Sequence, residues 1–428
     1  MTARHLSRGA ALAVCLASGL LRGQLVTDEV PRERAISTKE EIRRDVDESR
    51  FRLGPLRLSP RLSIQNLGYN DNVFGATSAD PGSSVADYTA TVSAGVRATL
   101  PLSSKVTLRA DVLPAYIWYA HEVERRSLGG TLSASLFALF NRLTFEATGF
   151  TSRADTVVSS EVAAIQRETV KAGRADLEIA FLRRLSLIAS GDYQQRRYSL
   201  GGAEPPSPID VARNDRKEWA SRAGLRYRFS ELVDVSAGVE VTWTEFYREE
   251  QSRDNTSRAA IVGVHVERPR LVVNLSGAYR KGEERHGSGF PAYEEPTGSG
   301  FVSITLVRPL DLELTGRRRI SYSLSGESPY YVETAYRAGL RLRIGARVTL
   351  GAFGELGANR YPSFANTGGV RRSDDARVYG GTATIVFARG VSANAFFTRS
   401  RYDSNIDIFD RRYDQFGVGI TVGGDFLR

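Results

Sequence analysis

The 428-residue chain contains one Cys, one Met, three Trp and four His, and five of its 58 basic residues are Lys. No run of eighteen apolar residues occurs beyond the N-terminus, and mean hydropathy is −0.27, which excludes a helical membrane protein. After about residue 55 the 3.6-residue periodicity of amphipathic helices is almost absent as well. Abundant Tyr, Phe and Val nevertheless argue against disorder. A chain this long without helical patterning must build its structure from strands.

The first 23 residues read as a secretory signal. Arg4, His5 and Arg8 precede a short apolar run from Gly9 to Leu21, broken by small residues. Cleavage before Gln24 removes Met1 and Cys15, so disulfides, thiolate catalysis and thiolate metal sites are excluded in the remainder. It also removes Arg4, Arg8 and Arg22, and the net charge falls from +9 to +6. Residues 24–54 follow as a charged periplasmic leader. Within it Ser37 and Glu40 form a capping-box pattern that predicts a short helix over Lys39–Val46. Ile42, Val46 and Phe51 are too few apolar side chains for a core, so the leader is expected to be solvated or to touch a periplasmic partner.

From residue 55 onward the chain alternates. Leu310, Leu312 and Leu314 interleave with Asp311, Glu313, Thr315, Arg317 and Arg319. Val332, Thr334, Tyr336, Ala338, Leu340, Leu342 and Ile344 interleave with Glu333, Arg337, Arg341 and Arg343. Trp219, Ala223, Leu225, Tyr227 and Phe229 interleave with Arg222, Arg226 and Arg228. Runs of ten residues or more with two unlike faces are membrane-spanning β-strands, apolar outward and polar inward.

Very tight turns are expected at Pro101–Ser104, Asn141, Arg183–Arg184, Ser230–Glu231, Pro269–Arg270, Arg308–Pro309, Gly345–Ala346 and Arg389–Gly390, with longer polar connectors between them. Eight such hairpins, with one strand before and one after, predict a transmembrane antiparallel up-and-down β-barrel of about 18 strands over residues 55–428. The short turns are periplasmic, the long loops extracellular, and the location is the bacterial outer membrane, in contact with its lipid. Tyr116, Trp118, Tyr119 and Phe181 are expected in interfacial aromatic girdles. A barrel this wide encloses water.

The pore-lining candidates are Arg109, Arg174, Arg222, Arg226, Arg228, Arg317, Arg319, Arg337, Arg341 and Arg343, with Asp311 and Glu313. Arginine rings bias a pore toward anions, and the guanidinium fork matches carboxylate and phosphate. Cross-strand pairing of Asp311 and Glu313 with Arg341 and Arg343 would neutralise part of this charge. His121, His265 and His286 accompany no recognisable nucleophile or metal-ligand spacing, so neither catalysis nor a cofactor nor a metal is expected. Nucleic acid is a poor match for an export-signalled barrel.

Arg57-Leu58-Ser59-Pro60-Arg61-Leu62-Ser63-Ile64, followed by Gly68 and then Tyr69-Asn70-Asp71-Asn72-Val73-Phe74, resembles the opening strand of the β-barrel porin-2-type outer-membrane proteins. In that family a Pro-containing first strand runs into a Tyr-Asp-Asp-Asn-Val-Phe-like segment; Asn70 stands where the family has its first Asp. The resemblance implies a conduit for a secreted exopolysaccharide or other anionic polymer, with periplasmic export components as partners through the leader. Two other readings remain open: a general or anion-preferring diffusion porin, and a structural or adhesive barrel. The segment Ser199–Asn214, with Pro205, Pro206 and Pro208, is the candidate for a loop folded into the pore. At the other end the chain runs past Phe426 to Leu427-Arg428, where barrels of this kind usually finish on an aromatic residue.

Overall fold

The computed structural model describes residues 38–75, 84–157, 159–161, 165–199, 210–248, 253–324, 328–362, 371–388 and 390–423. The signal segment, Ser37, Pro205, Pro206, Pro208 and Phe426 to Arg428 lie outside them. Helix α1 spans Thr38–Asp47, and a short strand β1 (Phe51–Leu53) forms a hairpin with the first barrel strand. The barrel begins with β2 (Leu56–Asn70), β3 (Asp87–Pro101), β4 (Val106–Tyr119), β5 (Ser127–Leu139), β6 (Leu143–Val157) and β7 (Ile165–Ala180). It continues with β8 (Leu185–Ser199), β9 (Arg216–Ser230), β10 (Val233–Phe246), β11 (Asn255–Arg268), β12 (Leu271–Glu284) and β13 (Tyr293–Val307). Strands β14 (Leu310–Tyr322), β15 (Tyr330–Ile344), β16 (Val348–Arg360), β17 (Ser373–Ala388), β18 (Val391–Ser404) and β19 (Arg411–Gly423) complete it.

Each strand pairs antiparallel with the next, and β19 returns to β2, so eighteen strands form a closed ring. Closure pairs the backbone groups along every strand, which is the condition for crossing hydrocarbon with strands. The eight short turns join consecutive strands at the expected places, with Arg389 of the last one outside the described residues.

The seam between β19 and β2 carries the main irregularity. Pairing shifts register around Val418 and Gln65, and Asn66 takes a left-handed backbone at φ 52°, which Asn tolerates better than most residues. A β-carbon on Gly68 would collide with the Phe416 carbonyl, so the seam demands glycine there.

Side chains follow the period of two. On β19 every second residue from Arg412 to Val422 is exposed or half-exposed on the outer wall, while Arg411, Tyr413 and Gln415 are buried facing inward. The outer wall is an apolar belt of residues such as Leu62, Val92, Val262 and Leu340. Phe140, Phe181, Phe229 and Phe387 ring its short-turn end, and Tyr69, Tyr88, Tyr379 and Phe416 its long-loop end. Tyr119 does not join the girdle. It is 1% exposed and faces inward, donating to Asp155 at 2.8 Å beneath the Arg125 guanidinium. A closed barrel with this belt and these girdles spans an outer membrane.

Candidate permeation pathway

Every pore-lining arginine expected from the alternation lies on the inner face, and nearly all meet an acid there. Arg174 bridges Asp176 (2.6 Å) and Asp192 (3.7 Å). Arg222 reaches Asp192 at 2.9 Å and pairs with Glu240, which also takes Arg280 from β12. Arg226 joins Glu178 and Asp234, whereas the half-exposed Arg228 meets Glu178 only at 3.9 Å. Glu333, 2% exposed, accepts from both Arg317 (2.9 Å) and Arg319 (2.8 Å), and Arg317 also reaches Glu355 at 2.9 Å. Arg341 pairs with Glu313 and Arg343 with Asp311 at 2.8 Å, diagonal to the register that sets Asp311 opposite Arg341. Arg337 stacks on the Phe353 ring at 3.5 Å.

This charged arc runs over the inner faces of β6 to β16. Its residues surround a cavity of about 1070 Å³ whose lining holds eight Arg and eight Asp or Glu, so the cavity wall carries no net charge. The excess of Arg that pointed to an anionic solute is therefore not in the cavity. Much of it sits at the short turns, as in Arg183, Arg184, Arg268, Arg270 and Arg308, and on the outer face near the long loops.

The arc of β17 to β19 differs in kind, whereas β3 and β4 still carry Arg97, Arg109 and Asp111 on their inner faces. Thr382, Thr384, Asn394, Thr398, Gln415 and Thr421 occupy the inner faces of β17 to β19 through a continuous register, with Phe396 among them. Among the described residues no charged side chain interrupts that face between Ala376 and Val386, Ser392 and Tyr402, or Tyr413 and Thr421.

Both mouths are narrowed. At the short-turn end α1 does not stand free in solvent. Glu41 and Asp45, one helical turn apart, receive Arg109 at 2.8 and 3.3 Å, and Asp45 also receives Arg97, whose other partner is Asp111. Ile42 is buried alongside.

At the long-loop end the connector between β6 and β7 folds across the lumen. Ser159 and Ser160 meet the Tyr331 hydroxyl at 3.1 and 3.3 Å, and Ser160 reaches Asn359 at 3.0 Å. β7 and β15 are eight places apart in the ring of eighteen, so the connector touches the nearly opposite wall. Glu161, 1% exposed, pins it there by accepting from Ser323 Oγ (2.7 Å), the Leu324 N–H (2.6 Å) and Arg372 (3.3 Å). Arg372 also forks onto Asp374 at 3.0 and 2.8 Å. Arg253 donates from the other side to the Ser323, Pro329 and Arg213 carbonyls and to Asn214 Oδ1. Burial, reinforced by the nearby Arg213 and Arg216 charges, pulls Arg253 down to about 9, still cationic at neutral pH.

The Tyr69–Phe74 segment serves this closure. Asn70 Oδ1 accepts the Asn72 N–H at 2.8 Å, an Asx turn. The Asp71 carboxylate accepts the Asp414 N–H at 2.8 Å across the seam. Val73 and Phe74 are buried against Ile165, and Arg125 caps them by donating to the Val73 and Ile165 carbonyls. Tyr69 points outward, against Tyr88 and Phe416.

No family model and no curated protein sequence matches this chain. Solved structures do. OccAB3 of Acinetobacter baumannii superposes with a TM-score of 0.51 at 13% identity, covering 86% of this chain and 99% of that one. A BenF-like porin from Pseudomonas fluorescens Pf-5 gives 0.52 at 11% identity, covering 86% and 99%. OccK2 (OpdF) of Pseudomonas aeruginosa in complex with glucuronate gives 0.50 at 12% identity, covering 86% and 98%. At these identities the likeness is one of fold, and that fold is the barrel of outer-membrane porins. None of these matches supports the polysaccharide-export expectation.

Sequence reasoning missed Arg97, Glu161, Arg253 and Arg372. Arg97 shares an inner face with Ser93 and Thr99 and was visible to the alternation test. The other three lie in connectors, where no period marks which way a side chain points.

Proposed function

We propose that this protein is an outer-membrane diffusion channel for small polar solutes, above all carboxylates that also carry hydroxyl groups. The observation that carries the reading is the split lumen behind a narrowed mouth. A charged arc with Arg forks offers bidentate partners to a carboxylate, and the Thr- and Asn-bearing arc facing it offers neutral hydrogen bonds to hydroxyls. The glucuronate complex of OccK2 supports the same class of solute for a barrel of this fold.

Polymer export is less favoured, because Ser159 to Glu161 reach across the lumen and α1 occupies part of the other mouth. A secreted chain would have to displace both. The test is reconstitution in liposomes with measured uptake of glucuronate, glucose and size-graded dextrans. Glucuronate should enter faster than glucose, and dextrans of several kilodaltons should stay out. Passage of dextran, or equal rates for the two small solutes, would overturn the reading.

A further inference from the structure

The outer wall above the long-loop girdle carries a feature that permeation does not use. Arg377 on β17 stands directly opposite Arg401 on β18, and Arg401 directly opposite Arg412 on β19. All three are exposed and share the outer face with Tyr379, Phe397 and Phe416. Directly paired residues on one face have β-carbons about 5 Å apart, so three adjacent like charges repel unless an anion lies between them.

The protein supplies few counter-charges. Asp403 takes Arg401 at 2.6 Å, Asp414 is forked by Arg399 in the row below, and Asp375 is held by Arg360 at 2.8 Å. Among the described residues no acid pairs with Arg377 or Arg412. Other basic residues on the outer wall are spaced instead: Thr169 separates Arg153 from Arg197, and Gln195 separates Lys171 from Lys217.

The height of the row selects the occupant. Arg377 is two residues beyond Tyr379, about 7 Å along the strand past the girdle that marks the hydrocarbon boundary. Side chains on the wall at that level face lipid headgroups, whereas the loops beyond face water. We propose that Arg377, Arg401 and Arg412 bind the phosphate of an outer-leaflet lipid headgroup, whose oxygens match the guanidinium forks and relieve the repulsion along the row.

The test is native mass spectrometry of the full-length protein in detergent. Three probes are compared: a phosphorylated glucosamine-disaccharide lipid, its dephosphorylated counterpart, and inorganic phosphate as competitor. The proposal expects adducts with the phosphorylated lipid, about tenfold weaker for R377Q/R401Q/R412Q and unchanged for K171Q/K217Q. The charge-retaining R377K/R401K/R412K, which keeps the charge and loses the fork, should bind more tightly than the glutamine variant and less tightly than the parent, which separates a lost site from a lost fold. Heat-modifiable gel migration reports folding, and the single R412Q carries the test if the triple variant does not assemble. Equal binding of the dephosphorylated lipid, no loss in the glutamine variants, or displacement by equimolar inorganic phosphate would overturn the assignment to a lipid.

Discussion

The charged arc and the neutral arc of the lumen are built from the same wall. Both use antiparallel strands of 13 to 16 residues, and both show an apolar belt to lipid. What differs is the inner set of side chains alone: Arg with Asp and Glu across β6 to β16, Thr, Asn and Gln across β17 to β19. Backbone pairing holds the wall, so inner-face chemistry is free to vary from strand to strand. Within the charged arc that freedom is limited, because in several places one acid is shared by two arginines and removing it takes a partner from both.

The largest effect expected from breaking this contrast follows from that sharing. Glu333→Gln removes the buried carboxylate that Arg317 and Arg319 share, with Glu355 still beside Arg317, and should cost about 3 kcal/mol in urea unfolding from detergent or bilayer. Thr398→Val on the neutral arc should cost about 1 kcal/mol or less. Comparable losses for the two would erase the distinction between the arcs.

Glu161→Ala comes next, since the connector that hangs from the charged arc loses its anchor on the far side. Leaving the Ser323 hydroxyl and the Leu324 N–H without their acceptor should cost about 2 kcal/mol locally. Hydrogen exchange at 159–161 should then quicken about thirtyfold, with a rise in unitary conductance. Unchanged exchange would mean that Glu161 does not hold the connector.

A smaller effect sharpens the contrast from the other side. Asn394→Asp puts a single unpaired charge on the neutral arc. At about 10 Å from the path of an ion in water it contributes about 0.4 kcal/mol, so cation-over-anion permeability should rise about twofold by reversal potential. Smallest of all is Arg228→Gln, because Arg228 is half-exposed and meets Glu178 only at 3.9 Å. Unfolding free energy should move by no more than about 0.5 kcal/mol; a larger drop would show that even the loosest pair in the arc bears on stability.

These contrasts mark how far reading along the chain could go. The inner-face arginines were legible because a period of two assigns every strand residue to one face. The pairing of Asp311 and Glu313 with Arg341 and Arg343 was legible because a short turn fixes the register of its two strands. The constriction expected at Ser199–Asn214 falls mostly on residues 200–209, which lie outside the described residues. Asn214 does receive Arg253; among the described residues, the connector holding Ser159 to Glu161 crosses the lumen, and its anchors come from residues about 160 to 210 positions later. A helix with Glu41 and Asp45 on one face was expected to be solvated or to touch a periplasmic partner, since nothing nearby in the chain names Arg97 and Arg109 as partners.

By itself the sequence determined the barrel, its strand count and the two faces of each strand, because alternation and turn residues are local and repeat along the chain. Ring closure decided the rest. It set β7 nearly opposite β15, turned a basic composition into a cavity of balanced charge, and stacked Arg377, Arg401 and Arg412 side by side on the outer wall. Charges far apart in sequence interact through distance in space, and only the closed ring defines that distance.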